Sequence, residues 1–156
     1  KKKISIIATF RNEEENIPEL VRRTRAVFND LKKAGTIKSH ELIFVNDAST
    51  DRSRELLVEL DAGHNDIRII NMSRNFGVFP CTFAGFRHTS GDAVIYMDSD
   101  LQDPPELIPK IIEKWLDGDS IDVVHTVRAS RAGEHWFKLA TTKIGYWLLK
   151  WISNFD

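Results

Sequence analysis

Residues 93–106 read Ala93-Val94-Ile95-Tyr96-Met97-Asp98-Ser99-Asp100-Leu101-Gln102-Asp103-Pro104-Pro105-Glu106. The run Ala93–Met97 is apolar at every position, the pattern of a central strand covered on both faces. It ends abruptly in two carboxylates one residue apart. Asp103 and Glu106 then stand at capping-box spacing, with prolines suited to a first helical turn. The stretch therefore predicts strand, acidic loop, then a helix to about Leu116.

The same alternation extends in both directions. Ile4–Ala8 predicts a strand. Ile17–Leu31 predicts a helix, with Leu20, Val21, Thr24, Val27, Phe28 and Leu31 at helical spacing. Asn16 is its expected cap, Pro18 fits its first turn and Gly35 follows its end. Strands are expected at Glu41–Asn46, Ile67–Met72 and Ile121–Val127. Helices are expected over Ser53–Leu60, Pro80–His88 and Glu134–Trp151. The order βαβαβαβαβα with short connections implies an α/β fold, a three-layer α/β/α arrangement around a mainly parallel sheet.

Composition narrows the function classes. The chain has 156 residues, 42% hydrophobic and 29% charged, with a net charge of −1. That excludes a disordered segment and a nucleic-acid binder acting by bulk charge. A single cysteine, Cys81, excludes a disulfide scaffold. No apolar run reaches the roughly 18 residues that span a bilayer. The opening Lys1-Lys2-Lys3-Ile4 carries no apolar signal core, and the chain is expected to be a piece of a longer protein.

Parallel sheets bind ligands beyond the carboxyl ends of their strands. Thr9-Phe10-Arg11-Asn12-Glu13 follows the first strand, Asp47-Ala48-Ser49-Thr50-Asp51 the second, Asp98-Ser99-Asp100 the fourth and Arg128-Ala129-Ser130-Arg131 the fifth. Three acidic ends and one basic end are expected on one rim. Carboxylates gathered there repel one another unless a cation sits among them. Asp98 and Asp100, with Gln102 adding a neutral oxygen, are the expected ligands of Mg²⁺ or Mn²⁺, whose shells phosphates complete.

Other chemistries find no support. There is no Gly-x-Gly-x-x-Gly, no Walker pattern and no nucleophile elbow. His40, His64 and His88 are expected to be solvated. Cys81 is expected to pack rather than react. Residues 125–151 carry Arg128, Arg131, Lys138, Lys143 and Lys150 against Glu134 alone, with Trp136, Trp147 and Trp151. Such a stretch suits either a membrane interface or a helix that docks on its own domain.

The residues resemble the family 2 glycosyltransferases of GT-A fold, and among them the polyprenyl-phosphate sugar synthases. The resemblance runs the length of the chain. It rests on Asn12-Glu13-Glu14-Glu15-Asn16-Ile17, on Val45-Asn46-Asp47-Ala48-Ser49-Thr50-Asp51, on Ser73-Arg74-Asn75-Phe76-Gly77, and above all on Asp98-Ser99-Asp100-Leu101-Gln102-Asp103-Pro104-Pro105-Glu106. It continues through Val127–Glu134. The chain departs from the family pattern at Thr9 and Arg11, where Pro and Tyr are usual. It departs again at Asn46, Ala48 and Val78, where Asp, Gly and Lys are common.

The resemblance implies a metal-dependent, inverting transferase that moves a hexose from a UDP- or GDP-linked donor to a polyprenyl phosphate. Thr9, Arg11, Glu13, Asp47 and Asp98 would hold the donor. Asp98, Asp100 and Gln102 would hold the metal. Asp98, Asp100 and Arg128 would carry catalysis, and Arg128, Arg131 and Lys138 would receive the acceptor. Residues 1–127 would form the nucleotide-sugar core. Residues 128–156 would form an acceptor loop and an amphipathic helix, in a parent protein held at the cytoplasmic face of a membrane and continuing past residue 156. Two other readings of the same residues remain at this point. One is a Mg²⁺-dependent phosphohydrolase with Asp98 as nucleophile, the other a non-catalytic nucleotide-binding fragment.

Overall fold

The structure, a computed structural model, describes residues 1–118 and 120–127. The expected helix at 134–151, with Arg128, Arg131 and Lys138, lies outside the described residues. The chain divides into two compact units, Lys1–Asp122 and Val123–Asp156. The sheet and its helices belong to the first.

The elements are β1 (Lys2–Phe10), α1 (Ile17–Lys33), β2 (Ile37–Asn46), α2 (Ser53–Asp61), β3 (Ile67–Asn71), α3 (Val78–Phe86), β4 (Ala93–Asp98), a 3₁₀ turn (Pro105–Leu107) and α4 (Ile108–Leu116). All four strands run parallel in the order β3-β2-β1-β4. The strands alternate their side chains between two cores. Ile4, Ile6, Ala8 and Phe10 of β1 meet Leu42 and Phe44 of β2 under α1, α2 and α4. Ile7, Ile43 and Val45 face the other way, onto Cys81 of α3. Three layers result, the second thinner than the first. The outer side of α3 leaves Phe79 80% and Phe83 70% exposed.

Close packing explains two glycines. A Cβ on Gly85 would lie 2.6 Å from Ile7 Cγ2, so α3 reaches the sheet only with glycine there. Gly35, at φ +72°, ends α1 in a Schellman turn. Its N–H donates to Lys32 O, and that of Thr36 donates to Leu31 O.

Several expectations need correction. Among the described residues β4 is an edge strand, not a central one. Its unbroken apolar run reflects packing on both faces, since Ile95 and Met97 join one core and Val94 the other. Residues 121–127 form no strand, and Val123 and Val127 are exposed. An apolar pattern becomes a strand only where a neighbour pairs its backbone groups. Asn16 does not cap α1 through its side chain; it adopts helical dihedrals and its amide donates to Glu13 Oε2 at 2.7 Å. Glu106 closes no capping box, because Arg23 of α1 forks onto both its oxygens and draws its carboxyl down to about 2. His40 is not solvated, its side chain being only 6% exposed. Its ring stacks on Phe28 at 4.5 Å, and burial lowers its pKa.

Candidate active site

The carboxyl ends of β1, β2 and β4 open into one cleft of about 280 Å³, lined by Thr9, Phe10, Arg11, Glu13, Asp47, Val78, Cys81, Asp98, Ser99 and Asp100. Six residues expected from the sequence thus come together: Thr9, Arg11, Glu13, Asp47, Asp98 and Asp100. Gln102 does not line the cleft. Its side chain is exposed, and its backbone N–H donates to Asp100 Oδ1 at 3.0 Å.

The Asp98-Ser99-Asp100 spacing has a mechanical cause. Ser99 is only 3% exposed, and its hydroxyl donates to the Thr9 carbonyl at 2.9 Å. With the middle residue anchored inward on β1, both flanking carboxylates line the opening. Leu101 then takes φ +60°, which folds the backbone N–H of Gln102 back onto Asp100. The loop is held from both sides of the acidic pair.

The first two loops are clasped to one another. Asn12 N–H donates to Ser49 Oγ and Glu13 N–H to Ser53 Oγ. In return Thr50 N–H donates to Asn12 Oδ1, and Arg52 N–H to Glu14 Oε2. Asp51 joins Glu14 N–H to the first turn of α2 through Ser53. Turning this tightly places Asn12 at φ +56° and Ala48 at φ +55°. Asparagine tolerates that region; alanine does so at a cost that glycine would not bear.

Asp47 is 7% exposed, and both its oxygens are engaged. Oδ1 accepts from Phe76 N–H at 2.7 Å and Oδ2 from Gly77 N–H at 3.0 Å. Burial would raise its pKa, but these backbone donors outweigh burial and hold the carboxyl below its ordinary value. Asp47 therefore shapes the turn into α3 as well as lining the cleft. Beside it, burial and the Asp47 carboxylate push the Cys81 thiol up to about 11, so the sulfur packs and does not attack. Asn46 bridges to β3, its amide donating to Asn71 Oδ1 while its own oxygen accepts from Ser49 N–H. An aspartate there could not make the first bond.

Tyr96 is the residue that sequence reasoning missed. It lies two positions before Asp98, hence on the same face of β4. Its hydroxyl donates to Asp98 Oδ1 at 2.5 Å and lies 3.2 Å from Thr9 Oγ1. Burial, and then the Asp98 carboxylate, raise its pKa. The period-two spacing from Asp98 was the available signal.

Chemically, among the described residues the cleft gathers Glu13, Asp47, Asp98 and Asp100 against Arg11 alone. Among the described residues no group of three or more His, Cys, Asp or Glu could hold a metal by itself. Two carboxylates from one loop suit a hard cation whose remaining ligands are phosphate and water oxygens, so the donor set fits Mg²⁺ or Mn²⁺.

Comparison with known proteins agrees with this architecture. Residues 5–154 match the family model described as glycosyl transferase family 2. The chain is 41% identical over 143 residues to an uncharacterised glycosyltransferase of Synechocystis, covering 92% of this chain and 43% of that protein. It is 41% identical over 152 residues to the uncharacterised glycosyltransferase YkcC of Bacillus subtilis, covering 97% and 45%. It thus spans less than half the length of either relative. Among solved structures, the mannosyltransferase PcManGT from Pyrobaculum calidifontis, in complex with GDP-Man and Mn²⁺, aligns at a TM-score of 0.68 with 20% identity, over 85% of this chain and 37% of that one. S. aureus TarS 1–349 with UDP-GlcNAc aligns at 0.56 with 20% identity, over 82% and 38%. These two share the GT-A fold with this chain. Nothing among these matches favours a phosphohydrolase.

Proposed function

The chain belongs to glycosyl transferase family 2, and on that footing we propose that its cleft binds a UDP- or GDP-linked hexose through a divalent cation held by Asp98 and Asp100. The carrying observation is that both carboxylates line one cleft with Thr9, Arg11, Glu13 and Asp47. That Mn²⁺ and GDP-Man accompany PcManGT supports the same reading. Bound there, the cation would offset the charge that develops on the departing diphosphate. Arg11 gives the nucleotide a planar cationic surface on which a base can stack. Glu13 offers carboxylate oxygens to the nucleoside hydroxyls, and Asp47 offers the lone pair that each of its oxygens keeps beside the one taken by Phe76 or Gly77 N–H.

The acceptor we propose is a polyprenyl phosphate, received by Arg128, Arg131 and Lys138. The second pKa of a phosphate monoester is about 6, so the acceptor is already anionic near neutral pH and needs positioning rather than deprotonation. Its oxygen forms the new bond to the anomeric carbon from the face opposite the nucleoside diphosphate. The old C–O bond breaks with its electron pair passing to the diphosphate, and the anomeric configuration inverts. Arg128 would add cationic stabilisation to the leaving group. The basic, tryptophan-rich stretch within 125–151 is the proposed membrane contact.

The test is transfer from labelled UDP- and GDP-sugars to polyprenyl phosphate, with Mn²⁺ present or chelated. Metal-dependent transfer that Asp100→Asn abolishes supports the proposal. Full transfer by Asp100→Asn, or transfer indifferent to chelation, overturns it.

A further inference from the structure

Asp98 is the last residue of β4 and is exposed. An exposed carboxylate ordinarily samples several rotamers. Here one oxygen is tied. The Tyr96 hydroxyl donates to Oδ1 at 2.5 Å, while Oδ2 takes no hydrogen bond among the described residues. A phenol has a single proton. Since that proton goes to Asp98, the Thr9 hydroxyl, 3.2 Å away, is the donor to the phenol oxygen. The register of β1 and β4 sets Thr9 directly opposite Asp98, so the chain Thr9 to Tyr96 to Asp98 closes a small ring over the strand ends. Successive donors of this kind polarise and strengthen one another. Tyr96 is not among the residues that line the cleft, but both its hydrogen-bond partners, Thr9 and Asp98, are.

We propose that Tyr96 is a positioning residue: by holding Asp98 Oδ1 it fixes the carboxylate so that Oδ2 is presented to the divalent cation of a bound nucleoside diphosphate. This rests on the reading of the site given under Proposed function. Partners that orient a metal's ligands commonly change metal affinity by roughly 10- to 100-fold when removed. Tyr96→Phe is the informative change, because it deletes the hydroxyl and keeps the ring.

The experiment measures Mn²⁺ affinity from the paramagnetic resonance signal of the free ion, with UDP or with GDP present, alongside the melting temperature of the nucleotide-free protein. Tyr96→Phe is expected to weaken Mn²⁺ binding about tenfold while the melting temperature stays near that of the wild type. Thr9→Val, which removes the donor to the phenol, is expected to cause a smaller loss in the same direction. In an Asp98→Asn background, adding Tyr96→Phe is expected to cost nothing further. Wild-type affinity in Tyr96→Phe, with the parent protein still binding Mn²⁺ and nucleotide, overturns the positioning role alone. So does a loss of the same size in the Asp98→Asn background, or one matched by a fall in melting temperature. Failure of the parent protein to bind Mn²⁺ with either nucleotide overturns the site reading and this inference together.

Discussion

At the scale of single residues, Ser99 and Ala48 show how the site is built and where it is strained. Ser99 is the inward anchor that lets its two neighbours line the opening. Replacing it with Ala leaves the Thr9 carbonyl without that donor, and chemical denaturation should show a loss of about 1–2 kcal/mol. Ala48 sits at φ +55°. Alanine there costs roughly 1 kcal/mol against glycine, partly offset because glycine has more freedom to lose on folding. Ala48→Gly should therefore raise the denaturation midpoint slightly, and a lower midpoint would contradict the strain argument. That Asp98 and Asp100 stand at one opening was legible in the sequence, because they lie one residue apart directly after an apolar strand. The backbone accounting was not legible. Nothing in Asp47 announces that both its oxygens are already committed to Phe76 and Gly77.

At the scale of elements, the agreement between pattern and structure has a clear boundary. The four strands and four helices of residues 1–116 lie where apolar periodicity put them, because each buries a face against a neighbour. Periodicity failed at 121–127, whose apolar residues pair with no strand among the described residues. β4, which stands at the sheet edge among the described residues, reads like a central strand because both its faces are covered. Capping patterns failed twice for one reason: Asn16 and Glu106 found stronger partners in Glu13 and Arg23. The joint between α3 and β1 offers a sharp test. Gly85→Ala would push a methyl to within 2.6 Å of Ile7 Cγ2. Overpacking of this kind costs about 1–3 kcal/mol. Because α3 begins at the cleft, weakened nucleotide binding should accompany the loss of stability.

At the scale of the whole molecule, the sheet is fastened at its two ends by opposite means. The carboxyl ends hold the acidic cleft. The amino ends are locked by Glu41 of β2, which accepts from Ser5 Oγ at 2.6 Å, Lys3 Nζ at 2.9 Å and Ser90 N–H at 2.7 Å. Burial alone would raise the Glu41 pKa, but these donors outweigh it and bring it from 4.5 down to about 2. A depressed carboxyl pKa adds stability that is fully present above the unfolded value, and that stability is lost as the pH falls through the folded value. Melting temperature should therefore drop between about pH 4.5 and 2, with Asp47, Asp51 and Asp66, all lowered, acting in the same direction. Glu41→Gln should be less stable at pH 7 yet show a shallower decline across that window. An unchanged slope would contradict the assignment.

The claim on which the functional reading turns is that Asp98 and Asp100 together hold a cation that a nucleoside diphosphate completes. The direct measurement is the melting temperature with UDP or GDP, with and without Mn²⁺, in the parent protein and in Asp100→Asn. That substitution keeps an oxygen for the Gln102 N–H and removes only the charge. At a hundredfold excess of ligand over its dissociation constant, binding adds about 2.7 kcal/mol, or a rise on the order of 5–10 °C in a protein of this size. The expected result is such a rise with one nucleotide, dependent on Mn²⁺ and absent in Asp100→Asn. A rise that survives chelation or the substitution, or no rise with either nucleotide, contradicts the claim.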